Sequence, residues 1–260
     1  MRILFVGDVF GRPGRRAVAH FVPDLIDRRE VDYVIVNIEN AAGGFGVTPE
    51  VFAELQKLPI DCFTTGNHIW DKRAGYPLLD QVPELLRPAN YPSANPGHGL
   101  HVGETAAGIP IATINLEGQV FMKPLASPFE QLDSLLAELP KAVRVVIVDF
   151  HAEATSEKQA IAYYADGRVS AVFGTHTHVP TADGRVLAGG TALVTDVGMT
   201  GPYNGIIGCR PDRVLRRFLT QTPAPLEVAK GDVRLAGALV DVDPATGHAT
   251  ALESLLLPMP

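Results

Sequence analysis

The chain has 260 residues, 46% hydrophobic and 20% charged, an ordinary globular composition that fits one large α/β domain or two small ones. A formal charge of −7 argues against a protein that holds long nucleic acid by its backbone, because neutralising phosphates needs a basic face. Small phosphorylated substrates stay open, since bound divalent cations would reverse the sign of a site.

No apolar run approaches the ~18 residues of a membrane span. The opening MRILFVGD runs into a polar Gly-Asp without the small-residue pattern of a cleaved signal, so a cytoplasmic location with no membrane partner is expected. Cys62 and Cys209 are the only cysteines and support no disulfide framework. Reduced thiols are expected, with Cys62 packed in a core because it lies inside an apolar run.

Short runs rich in Val, Ile and Phe recur along the chain: RILFVGD at 2–8, DYVIVNIEN at 32–40, DCFTTGN at 61–67, IPIATINL at 109–116, VRVVIVDFH at 143–151, VSAVFGT at 169–175 and TALVTDVG at 191–198. Their lengths and β-branched content predict buried strands. Helix signals lie between them. Ser127-Pro128-Phe129-Glu130 combines a cap, a first-turn proline and an acidic residue ahead of an amphipathic segment, and Ser156-Glu157-Lys158-Gln159 reads as a second capping box. From Asp232 the pattern changes to two apolar runs around PATGHAT, which predicts a closing antiparallel hairpin. The glycine- and proline-rich stretches 88–99 and 198–208 read as loops near a site, since strands resume on both sides. The alternation predicts an α/β architecture, and with no repeat or boundary in view residues 1–260 are expected to be a single domain.

Chemistry-bearing residues fall at the ends of these strands. Asp8 follows the first, Glu39 and Asn40 the second, Asn67 and His68 the third, His151 ends a later one, and His176 and His178 follow VSAVF. Singly, each has an ordinary explanation as a turn, cap or core residue. Those explanations do not predict that all fall at the C-terminal ends of strands, the edge where open α/β sheets bind ligands. In GTHTHVP, an extended segment would point residues i and i+2 to one side, so His176 and His178 are expected to converge. One bridging carboxylate (Glu39), one terminal carboxylate (Asp8), two amides (Asn40, Asn67) and three imidazoles make a mixed N/O set without thiolate, enough for two divalent ions. Two such ions ~3.5–4 Å apart can share a hydroxide and steady an in-line displacement at phosphorus.

The motifs GD at 7–8, GNH at 66–68, the His151 that ends its strand, and GTHTH at 174–178 resemble, in order, those of the calcineurin-like metallophosphoesterases. GDVFGRPGR, NIENAAGGFGVT, TTGNHIWDK, RPANYP, HAEATSEK, FGTHTHVPTAD and TDVGMTGPYNGIIG bring the likeness closer to one bacterial branch, the YmdB-like cyclic-nucleotide phosphodiesterases. The resemblance implies a four-layer α/β/β/α sandwich of two mixed sheets, two divalent metal ions, and hydrolysis of phosphodiesters such as 2′,3′-cyclic nucleotides, with 3′,5′-cyclic nucleotides also open.

The chain departs from the wider superfamily in three places. Asp8 is followed by Val9 and Phe10 where an imidazole is usual; Glu39 stands for the usual bridging aspartate; and Ile69 replaces the acidic residue that commonly follows GNH. Asn40 is expected to fill the vacancy, and Asp71 is the nearest orienting partner for His68. The resemblance then implies Asp8, Glu39, Asn40 and His178 around one ion and Glu39, Asn67, His151 and His176 around the other. His68 is left as a non-ligand that assists the leaving oxygen. The oxygen-rich first set favours iron or manganese, with magnesium or zinc open. Tyr91 and Tyr203 are the expected walls for a base. A phosphomonoesterase or phosphoprotein phosphatase, and a metal-binding regulatory protein with vestigial activity, stand as alternatives, and a homo-oligomer is left open.

Overall fold

The computed structural model describes residues 1–260. Its first sheet holds β1 (Arg2–Val6), β2 (Tyr33–Asn37) and β3 (Cys62–Thr64), parallel to one another. The hairpin of β11 (Val233–Val242) and β12 (Ala249–Pro258) joins this sheet, with β11 antiparallel to β1 and to the short β10 (Gly201–Pro202). The second sheet runs in the order β4 (Leu100–Glu104), β5 (Pro110–Glu117), β6 (Val145–His151), β7 (Ala171–Thr175), β9 (Ala192–Val194) and β8 (Arg185–Val186). Both sheets are mixed.

Strand periodicity makes the layers. Ile3 and Phe5 of β1, Ile35 of β2 and Cys62 of β3 face Ile111, Val145, Ile147 and Phe173 of the second sheet in one buried core. Phe5 and Phe173 meet across it with ring centroids 4.9 Å apart. The alternate residues Leu4, Val6, Val34 and Val36 face outward against α1 (Gly11–Arg29) and α2 (Pro49–Leu55). On the far side, Ile114, Val146, Val148 and Val172 pack against α4 (Pro128–Glu138) and α5 (Thr155–Ala165), while α3 (Tyr76–Gln81) and α6 (Pro211–Thr220) cover the periphery. Four layers result, as expected from the sequence. No helix is long and apolar enough to cross a membrane.

Two local expectations are corrected, and one helix lies beyond them. The 19-residue α1 is absent from the sequence reading because Gly11, Pro13, Gly14 and Pro23 interrupt its pattern. Tertiary burial of Ala17, Val18, Val22 and Leu25 along one stripe outweighs those weak propensities. The capping box at Ser156 does not form: α5 begins at Thr155 without a side-chain cap, and the Glu157 carboxylate instead accepts the N–H groups of Gln119 and Val120 at 2.9 and 3.1 Å. The runs at 61–67 and 191–198 contribute only three strand residues each, the remainder being loop at the sheet edge. Ser127 does cap α4, accepting from the Glu130 N–H at 3.4 Å, and the closing hairpin forms as expected.

Candidate metal centre

The C-terminal ends of β1, β2, β3, β6 and β7 converge on a cleft of about 300 Å³ whose lining includes Glu39, Asn40, His68, His176 and His178. Close backbone approach shapes it. A Cβ on Gly66 would stand 2.3 Å from His151 Nε2 and 2.5 Å from Glu39 Oε2, so the turn after β3 lies against the centre only because that residue has no side chain.

Two groups of three ligand-type atoms form, each with its atoms within 4.8 Å of one another: Glu39, His151 and His176, and Asp8, Glu39 and His178. Glu39 belongs to both. Asn67 Oδ1 joins the first, 2.9 Å from His151 Nε2, and Asn40 joins the second, with Nδ2 3.1 Å from His178 Nε2. All eight residues singled out in the sequence therefore gather at one edge.

The outward nitrogen of each imidazole has its own acceptor. His151 Nδ1 is 2.9 Å from Thr175 Oγ1, whose hydroxyl donates to Asp149 Oδ1 at 2.7 Å. His176 Nε2 is 3.1 Å from Glu153 Oε2, and His178 Nδ1 is 3.1 Å from the Ile207 carbonyl. Fixing the proton on the outer nitrogen leaves the inner one with its lone pair toward the centre, the arrangement that prepares histidine for a metal. Two buried acceptors, Asp8 Oδ1 and Asn40 Oδ1, have no hydrogen-bond partner. A half-turn of the Asn40 amide brings that oxygen inward. An orphaned carboxylate oxygen of Asp8, with an amide that can turn its oxygen inward and imidazole nitrogens facing the same space, fits a cation.

Electrostatics agree with that reading. Burial pushes the Asp8 carboxyl well above the ordinary range, with His151 opposing. Burial acts on Glu39 in the same sense, but His151 and the His68 N–H outweigh it and hold Glu39 well below the usual range. Burial disfavours the His151 imidazolium, yet Glu39 and Asp8 raise it to about 9. His176 is pushed down to about 3 by burial and by His151. In the metal-free chain, a proton on His151 thus stands where positive charge is needed.

The backbone at GTHTH differs from the extended expectation. β7 ends at Thr175, and His176 and His178 have φ of 99° and 67°. Such conformations cost about 1–3 kcal/mol each in a non-glycine residue and persist only where surroundings over-determine them. The two rings do converge on Glu39, but from a left-handed turn rather than from one face of a strand.

His68 stands at the rim with Nδ1 2.8 Å from Asp71 Oδ2, so the expected orienting partner is in place. The two expected aromatic walls differ. Tyr91 is buried against Trp70, ring centroids 5.2 Å apart, and does not line the cleft, whereas Tyr203, beneath Arg234, lines a neighbouring pocket that shares His178 and Ile207 with it. Phe45, Ile207 and Leu226 do line the cleft; Ile207 lies in the 198–208 loop expected near the site, whereas sequence reasoning missed Phe45, Leu226, Glu153 and Asp149. Glu153, two residues beyond His151, carried the clearest available signal, lying inside HAEATSEK. Cys62 is the buried thiol expected, held in its protonated form by burial.

The family model described as YmdB-like protein matches residues 4–255. The chain is 48% identical over 257 residues to the 2′,3′-cyclic-nucleotide 2′-phosphodiesterase of Bacillus subtilis strain 168, covering 99% of this chain and 97% of that protein. Among solved structures, a protein from Thermus thermophilus superposes with a TM-score of 0.94 at 43% identity, each chain covered in full. A Mycoplasma pneumoniae phosphatase gives 0.93 at 34% identity, covering 99% of this chain and 93% of that one. With that match over nearly its whole length, and with its ligand-type residues gathered at one sheet edge, the chain belongs to the YmdB-like family.

Proposed function

We propose that residues 1–260 act as a single phosphodiesterase domain in the cytoplasm, hydrolysing 2′,3′-cyclic nucleotides with two divalent ions, iron or manganese favoured. The observation that carries this is Glu39, fully buried and common to both ligand groups. One set would comprise Asp8, Glu39, Asn40 and His178, and the other Glu39, Asn67, His151 and His176. When bound, such a pair supplies Lewis-acid charge for the phosphoryl oxygens and a hydroxide nucleophile at neutral pH. The B. subtilis relative, named for action on 2′,3′-cyclic nucleotides, supports the substrate class.

The remaining chemistry falls to the protein. With His68 Nδ1 directed at Asp71, Nε2 is the ring atom able to give a proton to the departing oxygen. Phe45, Ile207 and Leu226 offer an apolar wall for ribose and base. The cleft lining contains no Lys or Arg. A dianionic monoester would therefore meet no side-chain cation beyond the ions, whereas a cyclic diester brings one negative charge and a strained ring that opens on attack.

The test is a substrate panel on protein loaded in turn with each candidate metal: 2′,3′- and 3′,5′-cyclic nucleotides, simple monoesters and a phosphopeptide. The expected result is the highest kcat/KM on 2′,3′-cyclic nucleotides. A larger value for monoesters or the phosphopeptide under the same metal would overturn the reading.

A further inference from the structure

Thr177 stands between the two histidines, and its polar groups are held from behind. Its N–H and its hydroxyl both donate to Asp196 Oδ2, at 3.1 and 2.7 Å. The same oxygen accepts from Lys158 Nζ at 2.8 Å, and Oδ1 accepts the Gly198 N–H at 2.8 Å. The Asp196 main chain grips the loop's other flank: its carbonyl accepts the Thr181 N–H at 3.0 Å, and its N–H donates to Thr181 Oγ1 at 3.0 Å. Lys158 and Asp196 are each only 2% exposed, so water does not compete for these bonds.

We infer that Asp196, fixed by Lys158, is the positioning residue that holds His176 and His178 in the left-handed backbone from which their rings reach two different ion positions. The inference rests on the reading of those histidines as metal ligands. Two positive-φ residues flanking a single threonine need an external constraint, and the bonds from Asp196 converge on the residue between them. A buried ion pair is weak evidence for stability alone, because apolar residues of similar volume often serve the fold as well. Here the buried carboxylate accepts four hydrogen bonds, two of them from Thr177. The segment that supplies Lys158 also supplies His151 and Glu153, the acceptor for His176. The end of β6 and the short stretch that follows it thus carry a ligand and two braces for the ligands opposite.

The experiment measures Mn²⁺ affinity by calorimetry, and the melting temperature of the metal-free form, for Asp196→Asn, Thr177→Val, Lys158→Met, the double variant Lys158→Met with Asp196→Asn, and His178→Ala. Asp196→Asn should bind Mn²⁺ about 10–100-fold more weakly, the usual effect of losing an outer-shell partner. Thr177→Val, which leaves the buried pair intact, should lose less but measurably. Lys158→Met strands a buried charge and should lower the melting temperature; the double variant should recover it while Mn²⁺ binding stays weak. Unchanged Mn²⁺ affinity in folded Asp196→Asn and Thr177→Val, with His178→Ala impaired, would overturn the positioning role alone. Unchanged affinity in His178→Ala as well would overturn the ligand reading and this inference with it.

Discussion

His151 Nε2 and His176 Nδ1 face each other at 3.0 Å, each ring having its other nitrogen beside an acceptor. Two inward lone pairs at that distance require a cation or a proton between them. The raised pKa of His151, about 9, and the depressed one of His176, about 3, describe the protonated alternative.

Metal binding should therefore release a proton. Mn²⁺ affinity is expected to rise about tenfold per pH unit on approach to pH 9 and to level off as His151 loses its proton there. Calorimetry in buffers of different ionisation enthalpy reads this directly, and a pH-independent affinity would contradict it.

The metal-free fold should have a stability maximum in pH. The raised folded pKa of His151 gives stability that is full below ~6.5 and lost as pH rises through about 9. The depressed folded pKa of His176 gives stability present above ~6.5 and lost as pH falls toward about 3. Melting temperatures of chelator-treated protein should fall on both sides of the neutral range, and His151→Gln should remove the alkaline limb.

Glu39→Gln should weaken metal binding at both positions together, because one carboxylate belongs to both ligand groups. Turnover is expected to drop by more than the ~10–100-fold typical of outer-shell partners, with circular dichroism unchanged. Metal content and activity measured on the same sample check it; retention of both would remove the bridging role.

His68→Ala should keep its metals and lose ~10²–10⁴ in rate on cyclic nucleotides. Nitrophenyl esters, whose leaving anions have little use for a proton, should lose less. Asp71→Asn should show the same substrate pattern with a smaller loss, since the His68–Asp71 contact orients the ring without touching the leaving oxygen.

Phe45→Ala should lower kcat/KM for cyclic nucleotides while sparing a small diester that lacks a base. Aromatic stacking on a base is worth ~1–3 kcal/mol, so the expected loss is ~5–150-fold. Tyr91→Ala, at a position only 8% exposed, should instead lower the melting temperature and leave substrate preference intact. Steady-state kinetics on the two variants separates the cleft wall from the core.

The strand runs, the closing hairpin, the edge at which the functional residues gather and the His68–Asp71 pairing were readable from sequence because each depends on local periodicity or short spacing. Apolar alternation decides which face of a strand is buried, and a strand's C-terminal end follows from chain direction. Tertiary structure decided the rest. α1 forms across its glycines and prolines because the first sheet offers an apolar face to cover. Tyr91 lies inside and Phe45 at the cleft because loop paths depend on what packs beneath them. The left-handed turn at His176 and His178 is held by Asp196, some twenty residues further along the chain, and by Lys158, some twenty before. A backbone torsion imposed by residues so distant in sequence leaves no mark on the local pattern of GTHTH, whose spacing alone suggested an extended chain.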